Sequence, residues 1–361
     1  MLACYSLTRS LPFTVAPPAA HRFQITIPRL KRADMSPQPD VSVVIPTCNR
    51  PELAVRAARS ALGQTHRNLE VIVVVDGPDD VTARALAEIG DPRLDVIVLP
   101  ERRKAPNARN TGARHARGRF TAMLDDDDEW LPTKLSVQLE LAAGARSAAP
   151  IVACRMVNRT PRADSVMPRR LPAPGEPISE YFTVRKGLFY GDGFIQTSTI
   201  MAPTELWRTV PFTVGLRRQQ ELDWALRALR EPGTELIYAA EPLVLWHQDE
   251  DRERISLENP WREQLDWLRG SRELFTPRAY GAFTLSVLSS MAAPTRDGKL
   301  FRELLAEARR HGRPGVLDYL THLQIWALPP SLRHRLRDLV VGRKPASRPA
   351  ESPQQVLVDV D

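Results

Sequence analysis

The chain has 361 residues, enough to bury one sizeable core and carry an appendage, and its 43% hydrophobic and 26% charged content is that of a soluble globular protein. Its 50 Lys and Arg against 43 Asp and Glu leave a net charge of +7, which suits a polyanionic ligand or an acidic membrane surface as well as ordinary solubility. Three scattered cysteines, Cys4, Cys48 and Cys154, exclude a disulfide framework and any zinc spacing and fit a reducing, cytoplasmic setting, while no apolar run approaches the roughly 20 residues of a membrane-spanning helix.

Residues 1–38 carry no acid before Asp34 and contain five prolines, so they read as a disordered extension. Arg9 interrupts what would be the apolar core of a secretory signal. Met35, just before the first good strand, is an alternative start, in which case residues 1–34 do not belong to the native protein.

Val41–Pro46 is a short β-branched run closed by proline, the pattern of a buried parallel strand. A helix over Pro51–Leu62 opens on a proline in its first turn and stops at Gly63. Strands at Leu69–Val75 and Leu94–Leu99 enclose a helix at Val81–Ile89, and this β-α-β-α-β order predicts a parallel sheet with right-handed crossovers. Ligands of such sheets bind beyond the carboxyl ends of the strands. Thr47, Asn49 and Asp76 occupy those ends.

A basic stretch, Arg102–Gly118, runs into a helix and directly precedes Phe120–Pro132, where a short apolar run ends in four consecutive aspartates, Asp125 to Asp128. Four adjacent carboxylates repel one another unless a cation or a set of donors neutralises them. Side chains two apart in an extended segment point the same way, so Asp125 and Asp127 can converge on one hard cation. The basic helix start beside them suits a bridging pyrophosphate. The plainer alternative is an acidic loop with Asp128 or Glu129 at a helix start.

Beyond Leu141 the pattern is less regular. Arg159–Pro177 reads as a flexible loop, residues 191–201 as a glycine-marked turn followed by an apolar strand, and Arg217–Leu229 as an amphipathic helix with Leu222, Leu226 and Leu229 toward the core. Ile237–Leu245 reads as a last strand ending at Trp246 and His247, with Arg254–Ser256 following. Residues 257–340 are helical in pattern, with Trp261, Leu265 and Leu268 on one stripe and Leu300, Leu304 and Leu305 on another. The Leu300–Arg310 helix is basic on its polar side, a face for packing or for anionic lipid. From Val341 the chain reads as a disordered tail.

Five segments in order, Val43–Arg50, Ala58–Thr65, Glu70–Gly77, Ala108–Gly112 and Leu124–Pro132, resemble the family 2 glycosyltransferases, a nucleotide-sugar-dependent group of GT-A fold. The resemblance implies an α/β architecture: a GT-A, Rossmann-like, mostly parallel sheet flanked by helices, with a helical C-terminal extension. It divides the chain into a glycosyltransferase domain over 39–250 (a nucleotide-sugar half over 39–140 and an acceptor half over 141–250), a helical region over 251–340 and a tail over 341–361.

The same resemblance implies metal-dependent, inverting transfer of a sugar from a nucleotide-diphosphate donor, a UDP-sugar first, to an acceptor hydroxyl in glycan, glycolipid or polysaccharide synthesis. It puts Pro46, Thr47, Asn49, Arg50, Asp76, Arg109 and Asn110 at the nucleotide sugar, Asp125 or Asp126 near the ribose, and Asp127 on Mg²⁺ or Mn²⁺. His247 matches a metal- or diphosphate-contacting histidine. Glu221 falls at the catalytic base, with Asp223 as the alternative. Two departures stand out: the family usually has two aspartates where this chain has Val75 and Asp76, and an aspartate where it has Glu221. Implied partners are the donor and a hydroxyl acceptor, a lipid-linked one among the alternatives, with no nucleic acid; the basic face of the Leu300–Arg310 helix adds peripheral contact at the inner membrane face as a further expectation. A nucleotidyltransferase is the rival enzyme, disfavoured because the chain has no G-x-x-x-x-G-K loop. A nucleotide-sugar-binding module whose chemistry has lapsed is the non-enzymatic rival.

Overall fold

The computed structural model describes residues 38–161, 163–187, 192–248, 250, 260–328 and 332–333. The chain divides into two units, Met1–Pro37 and Gln38–Asp361. The first, like Arg254–Ser256 and the tail from Val341, lies outside the described residues.

Strands β1 (Val41–Thr47) and β2 (Leu69–Val75) are buried at every residue, because a parallel strand covered by helices on both faces has no solvent side to reserve for polar residues. With β3 (Leu94–Val98) and β4 (Phe120–Met123) they form the parallel order β3-β2-β1-β4. Helices α1 (Pro51–Leu62), α2 (Asp80–Ala87) and α3 (Lys104–His115) make the crossovers. Thr47 pairs with Val75 in register while β4 ends at Met123 opposite Val44, so the aspartates after Leu124 emerge beside the last turn of β1. Helix α3 lies hard against β1: a Cβ built on Gly112 would sit 2.3 Å from Val44 Cγ1. Only glycine permits that approach.

The sheet continues through an antiparallel half. Strand β8 (Met201–Pro203) pairs with β4, β6 (Ala149–Arg159) pairs with β8, and β9 (Thr234–His247) runs parallel to β6 over its whole length. A three-residue strand, β5 (Asp128–Trp130), closes on β9, and β7 (Ser165–Met167) pairs with β6. Among the described residues the result is a mostly parallel sheet of nine strands, curled so that Asp128 of β5 returns beside the β1 end.

Several expectations need correction here. Asp128 does not open a helix; it belongs to β5 and is wholly buried. The stretch 159–177 is not all loop, since it contains β7 and the Arg170–Glu176 ion pair at 2.6 Å. Residues 192–200 do not form a strand. Gln196 and Thr199 turn their side chains onto local backbone, Gln196 Oε1 accepting from Ser198 N and Thr199 Oγ1 donating to Gln196 O, which diverts the chain into one 3₁₀ turn before β8.

The remaining helices are α4 (Lys134–Ala143), α5 (Ile178–Thr183), α6 (Thr204–Thr209), α7 (Gln220–Ala228), α8 (Trp261–Gly270), α9 (Pro277–Phe283), α10 (Ser289–Ala292), α11 (Gly298–His311) and α12 (Val316–Ala327). A π turn, Thr284–Leu288, joins α9 to α10. Helix α7 connects two cores. Trp224 stacks on Trp207 with ring centroids 3.6 Å apart, locking α7 to α6 under the sheet. Leu222 and Leu226 face the other way, into Leu265, Leu268, Phe283 and Leu304 of the C-terminal helices. Leu229 packs on the sheet side instead of joining their stripe. No described helix is long and apolar enough to cross a membrane.

Candidate active site

Three strand ends and one helix start converge on the aspartates. After β1 the chain turns through Asn49 in the left-handed region (φ 54°). Thr47 Oγ1 donates to Asp126 Oδ2 at 2.8 Å, and Arg50 Nη1 donates to Asp126 Oδ1 at 3.2 Å while standing 3.7 Å from Asp127 Oδ2. Asn49 contributes its main chain, its N–H donating to Asp79 at the cap of α2. Pro46 is buried within β1, in register with Val74. Beyond β2, both oxygens of Asp76 accept from main-chain N–H groups, those of Arg103 and Lys104, each at 2.7 Å. Asp76 thus pins the start of α3, where Lys104 adopts a left-handed φ of 69°.

Arg109 and Asn110, adjacent on α3, do different work. Buried Arg109 donates from Nη2 to Asp125 Oδ1 and from Nη1 to Gln220 Oε1, both at 2.6 Å, with its guanidinium over the Phe212 ring. One side chain therefore links the first aspartate to the first residue of α7. Asn110 spends its amide on the backbone of Phe212, donating to its carbonyl and accepting from its N–H, and so holds the loop leading to α7.

Asp125, Asp127 and Asp128 each offer a carboxylate oxygen within 4.8 Å of the others. Asp125 N donates to Ser198 Oγ, and Asp128 Oδ2 accepts from Ser198 Oγ at 2.6 Å and from Gln196 Nε2 at 2.8 Å. Asp128 Oδ1 is buried with no hydrogen-bond partner. Burial, with the charges of Asp127 and Asp125 added, holds the Asp128 carboxyl well above its ordinary range. Burial and then Asp127 push Asp126 up to about 6. Such a group either keeps protons that carboxylic acids at neutral pH normally lose or receives a cation. All-oxygen donors and an orphaned buried oxygen are the chemistry of a hard divalent ion such as Mg²⁺ or Mn²⁺, and the residues present fit one.

The two carboxylates of α7 are not equivalent. Asp223 is saturated: it accepts from Thr213 Oγ1, from Arg227 Nε and Nη2, and from Trp267 Nε1 at 2.9 Å, and is almost wholly buried. Glu221 is half-buried, and its carboxyl is raised, first by burial and further by Asp125, with Arg109 and Arg218 opposing. Gln219, in the left-handed region at φ 61°, sets the angle at which the helix enters.

His247 closes a different side. Its Nε2 lies 2.7 Å from Glu129 Oε1, and Arg56, which pairs with Glu250 and lies 3.5 Å from Glu129, donates from Nη2 to the Asp127 carbonyl at 3.2 Å. Among the described residues it is the three aspartates, not His247, that gather as potential cation ligands. Gln196 and Ser198 escaped the sequence reading; a run of polar side chains inside an otherwise apolar stretch was the only sign of them.

A curled sheet of this connectivity, with carboxylates at the switch between its parallel and antiparallel halves, is the GT-A architecture. It matches Staphylococcus aureus TarS 1–349, crystallised with UDP-GlcNAc, at a TM-score of 0.51 over 82% of this chain and 92% of that one, at 14% identity.

Residues 42–202 match Glycosyl transferase family 2. The succinoglycan biosynthesis protein ExoO of Rhizobium meliloti (strain 1021) is 43% identical over 112 residues, 30% of this chain and 32% of that protein. The amylovoran biosynthesis glycosyltransferase AmsB of Erwinia amylovora is 28% identical over 281 residues, 74% of this chain and 89% of that protein. The β-1,3-glucosyltransferase WfgD of Escherichia coli, named for UDP-Glc and a GlcNAc-diphosphoundecaprenol acceptor, is 35% identical over 101 residues, 28% of this chain and 40% of that protein. The match thus spans about a third of ExoO and two fifths of WfgD.

Proposed function

We propose that the protein is a metal-dependent, inverting glycosyltransferase that moves a sugar from a nucleotide-diphosphate donor to an acceptor hydroxyl in polysaccharide synthesis. The observation that carries this reading is the Arg109 bridge, which ties Asp125 to Gln220 and so brings the neighbouring Glu221 within electrostatic reach of the aspartates. A group that holds a diphosphate and a group that takes a proton must share one site, and this bridge supports assigning those roles to the aspartates and Glu221.

The cation would be held through Asp127, with Asp125 and Asp128 completing the oxygen set. When bound, Mg²⁺ or Mn²⁺ offsets the charge of the diphosphate leaving group. Thr47 and Arg50 keep Asp126 turned away from that set, and Asp76, through the backbone of Arg103 and Lys104, shapes the basic rim where the nucleotide would lie. Glu221 accepts the acceptor's proton; its raised affinity for protons brings it nearer neutrality, where a general base is most effective. Attack from the side opposite the leaving diphosphate inverts the anomeric centre. Asp223, with its oxygens engaged by donors, is the anchor of α7 and not the base.

His247 acts on this reading through Glu129, on the side of the site where Arg56 grips the Asp127 carbonyl; a direct place on the cation requires it to exchange Glu129 for the ion. The names of the relatives support a UDP-sugar donor and a lipid-linked acceptor. Residues 39–140 form the donor half and 141–250 the acceptor half, and the helices between Trp261 and His311 brace α7.

Release of nucleoside diphosphate from a panel of UDP- and GDP-sugars, with lipid-linked and soluble acceptors and with and without chelator, tests the proposal. The expected result is diphosphate release from one donor, abolished by chelator and restored by Mg²⁺ or Mn²⁺. Release of pyrophosphate would establish nucleotidyl transfer instead, and donor binding without consumption over any acceptor would establish a binding module.

A further inference from the structure

Helix α12 inverts the arrangement kept by the helix before it. In α11, Leu300, Leu304 and Ala308 face the core while Arg302, Arg309 and Arg310 face water. In α12 the inward stripe is mostly polar: Asp318 pairs with Arg278, His322 Nδ1 lies 2.5 Å from Ser289 Oγ, and Thr321 is buried beside Ile325. The opposite stripe, spaced i, i+4, i+7, i+11, is Val316, Leu320, Leu323 and Ala327, and the first three are 77%, 51% and 53% exposed. A helix exposing its aliphatic face has that face matched to something other than water.

The surroundings say what. Arg309, Arg310 and Arg313, all exposed, lead into α12, and residues 309–344 hold eight Lys and Arg against two acids, one of which is the buried, paired Asp318. Half-buried Tyr319 borders the aliphatic stripe, the position an amphipathic ring takes at a lipid headgroup boundary. The stripe itself offers no polar side chain with which to specify a protein partner. We propose that α12 docks on an anionic phospholipid surface, its aliphatic face entering the headgroup boundary and the neighbouring arginines pairing with lipid phosphates. This surface stands on its own residues and does not depend on the reaction proposed above.

The experiment is sedimentation of the full chain with phosphatidylglycerol-rich vesicles and with pure phosphatidylcholine vesicles, alongside light scattering and thermal unfolding. The chain should bind the anionic vesicles, less so as salt rises, and bind the neutral ones weakly. Leu320→Gln/Leu323→Gln should lower the partition coefficient about tenfold or more at unchanged Tm, because both side chains face solvent. Arg309→Gln/Arg310→Gln should weaken binding and flatten its salt dependence. Failure of the parent chain to bind anionic vesicles, or parent-like binding by the leucine variant, overturns the proposal. So does a parent dimer that the leucine variant converts to monomer, which would make a second copy the occupant.

Discussion

Glu221 and Asp223 lie two residues apart on one helix, yet their surroundings differ, and substitution should separate the roles proposed for them. Glu221→Gln is expected to keep the fold and to lower kcat about 10²- to 10⁴-fold, the usual contribution of a general base, with little change in KM. Asp223→Asn removes the charge that four donors address and should cost about 3 kcal/mol of stability, visible as a lower Tm. Because burial raises the Glu221 carboxyl, the limb of kcat/KM that falls toward acid should have its midpoint above the ordinary glutamate value; a midpoint at or below that value would rule Glu221 out as the base. Asp128→Asn replaces a strained carboxyl by a neutral group of similar shape. Without divalent ions this variant should melt higher than the parent, and added Mn²⁺ should no longer raise its Tm.

At the scale of elements, two contacts hold the site in shape. Gly112→Ala would drive a methyl group into Val44 and lift α3 from β1, moving Arg109 off Asp125. Activity should fall further than stability does. In the C-terminal helices, His322 packs α12 against Phe301 with ring centroids 4.3 Å apart, and burial pushes its pKa down to about 4 from an ordinary value of 6.5. The folded state therefore resists protonation more than the unfolded chain does. Its contribution is present above pH 6.5 and is lost as pH falls from about 6.5 to about 4, to the extent of about 3 kcal/mol. Urea unfolding midpoints at pH 7 and pH 4.5 would show the loss, and His322→Phe should flatten it.

The elements legible in the sequence are those governed by period and punctuation. The helix Pro51–Leu62 and strand Leu69–Val75 have the expected bounds because a proline, a glycine and an unbroken β-branched run mark them. Strands β5 and β8 are three residues each and take their conformation from their neighbours in the sheet, so no local pattern announces them. Strand β6 carries Pro150, Arg155 and Asn158, which weaken its strand signature, and it bulges against β9 at Arg155, between Cys154 and Met156. Among site residues, the aspartates declared themselves by their mutual repulsion. Gln196 and Ser198, which hold Asp128 from 68 and 70 residues away, could be recognised only once the sheet had curled.

Over the whole molecule, the parallel half supplies a crevice, the antiparallel half returns β5 and α7 to it, and the C-terminal helices hold α7 from behind through Leu222, Leu226 and the Trp267–Asp223 hydrogen bond. This geometry acts as a glycosyltransferase only if the crowded aspartates receive a cation together with the nucleotide. Calorimetric titration of Mn²⁺ into the protein with UDP present, on the parent and on Asp127→Ala, measures that directly. The account predicts one ion bound per parent chain and none by the variant, with an unchanged far-ultraviolet spectrum. An Asp127→Ala protein that still takes up one ion and still consumes donor would contradict it.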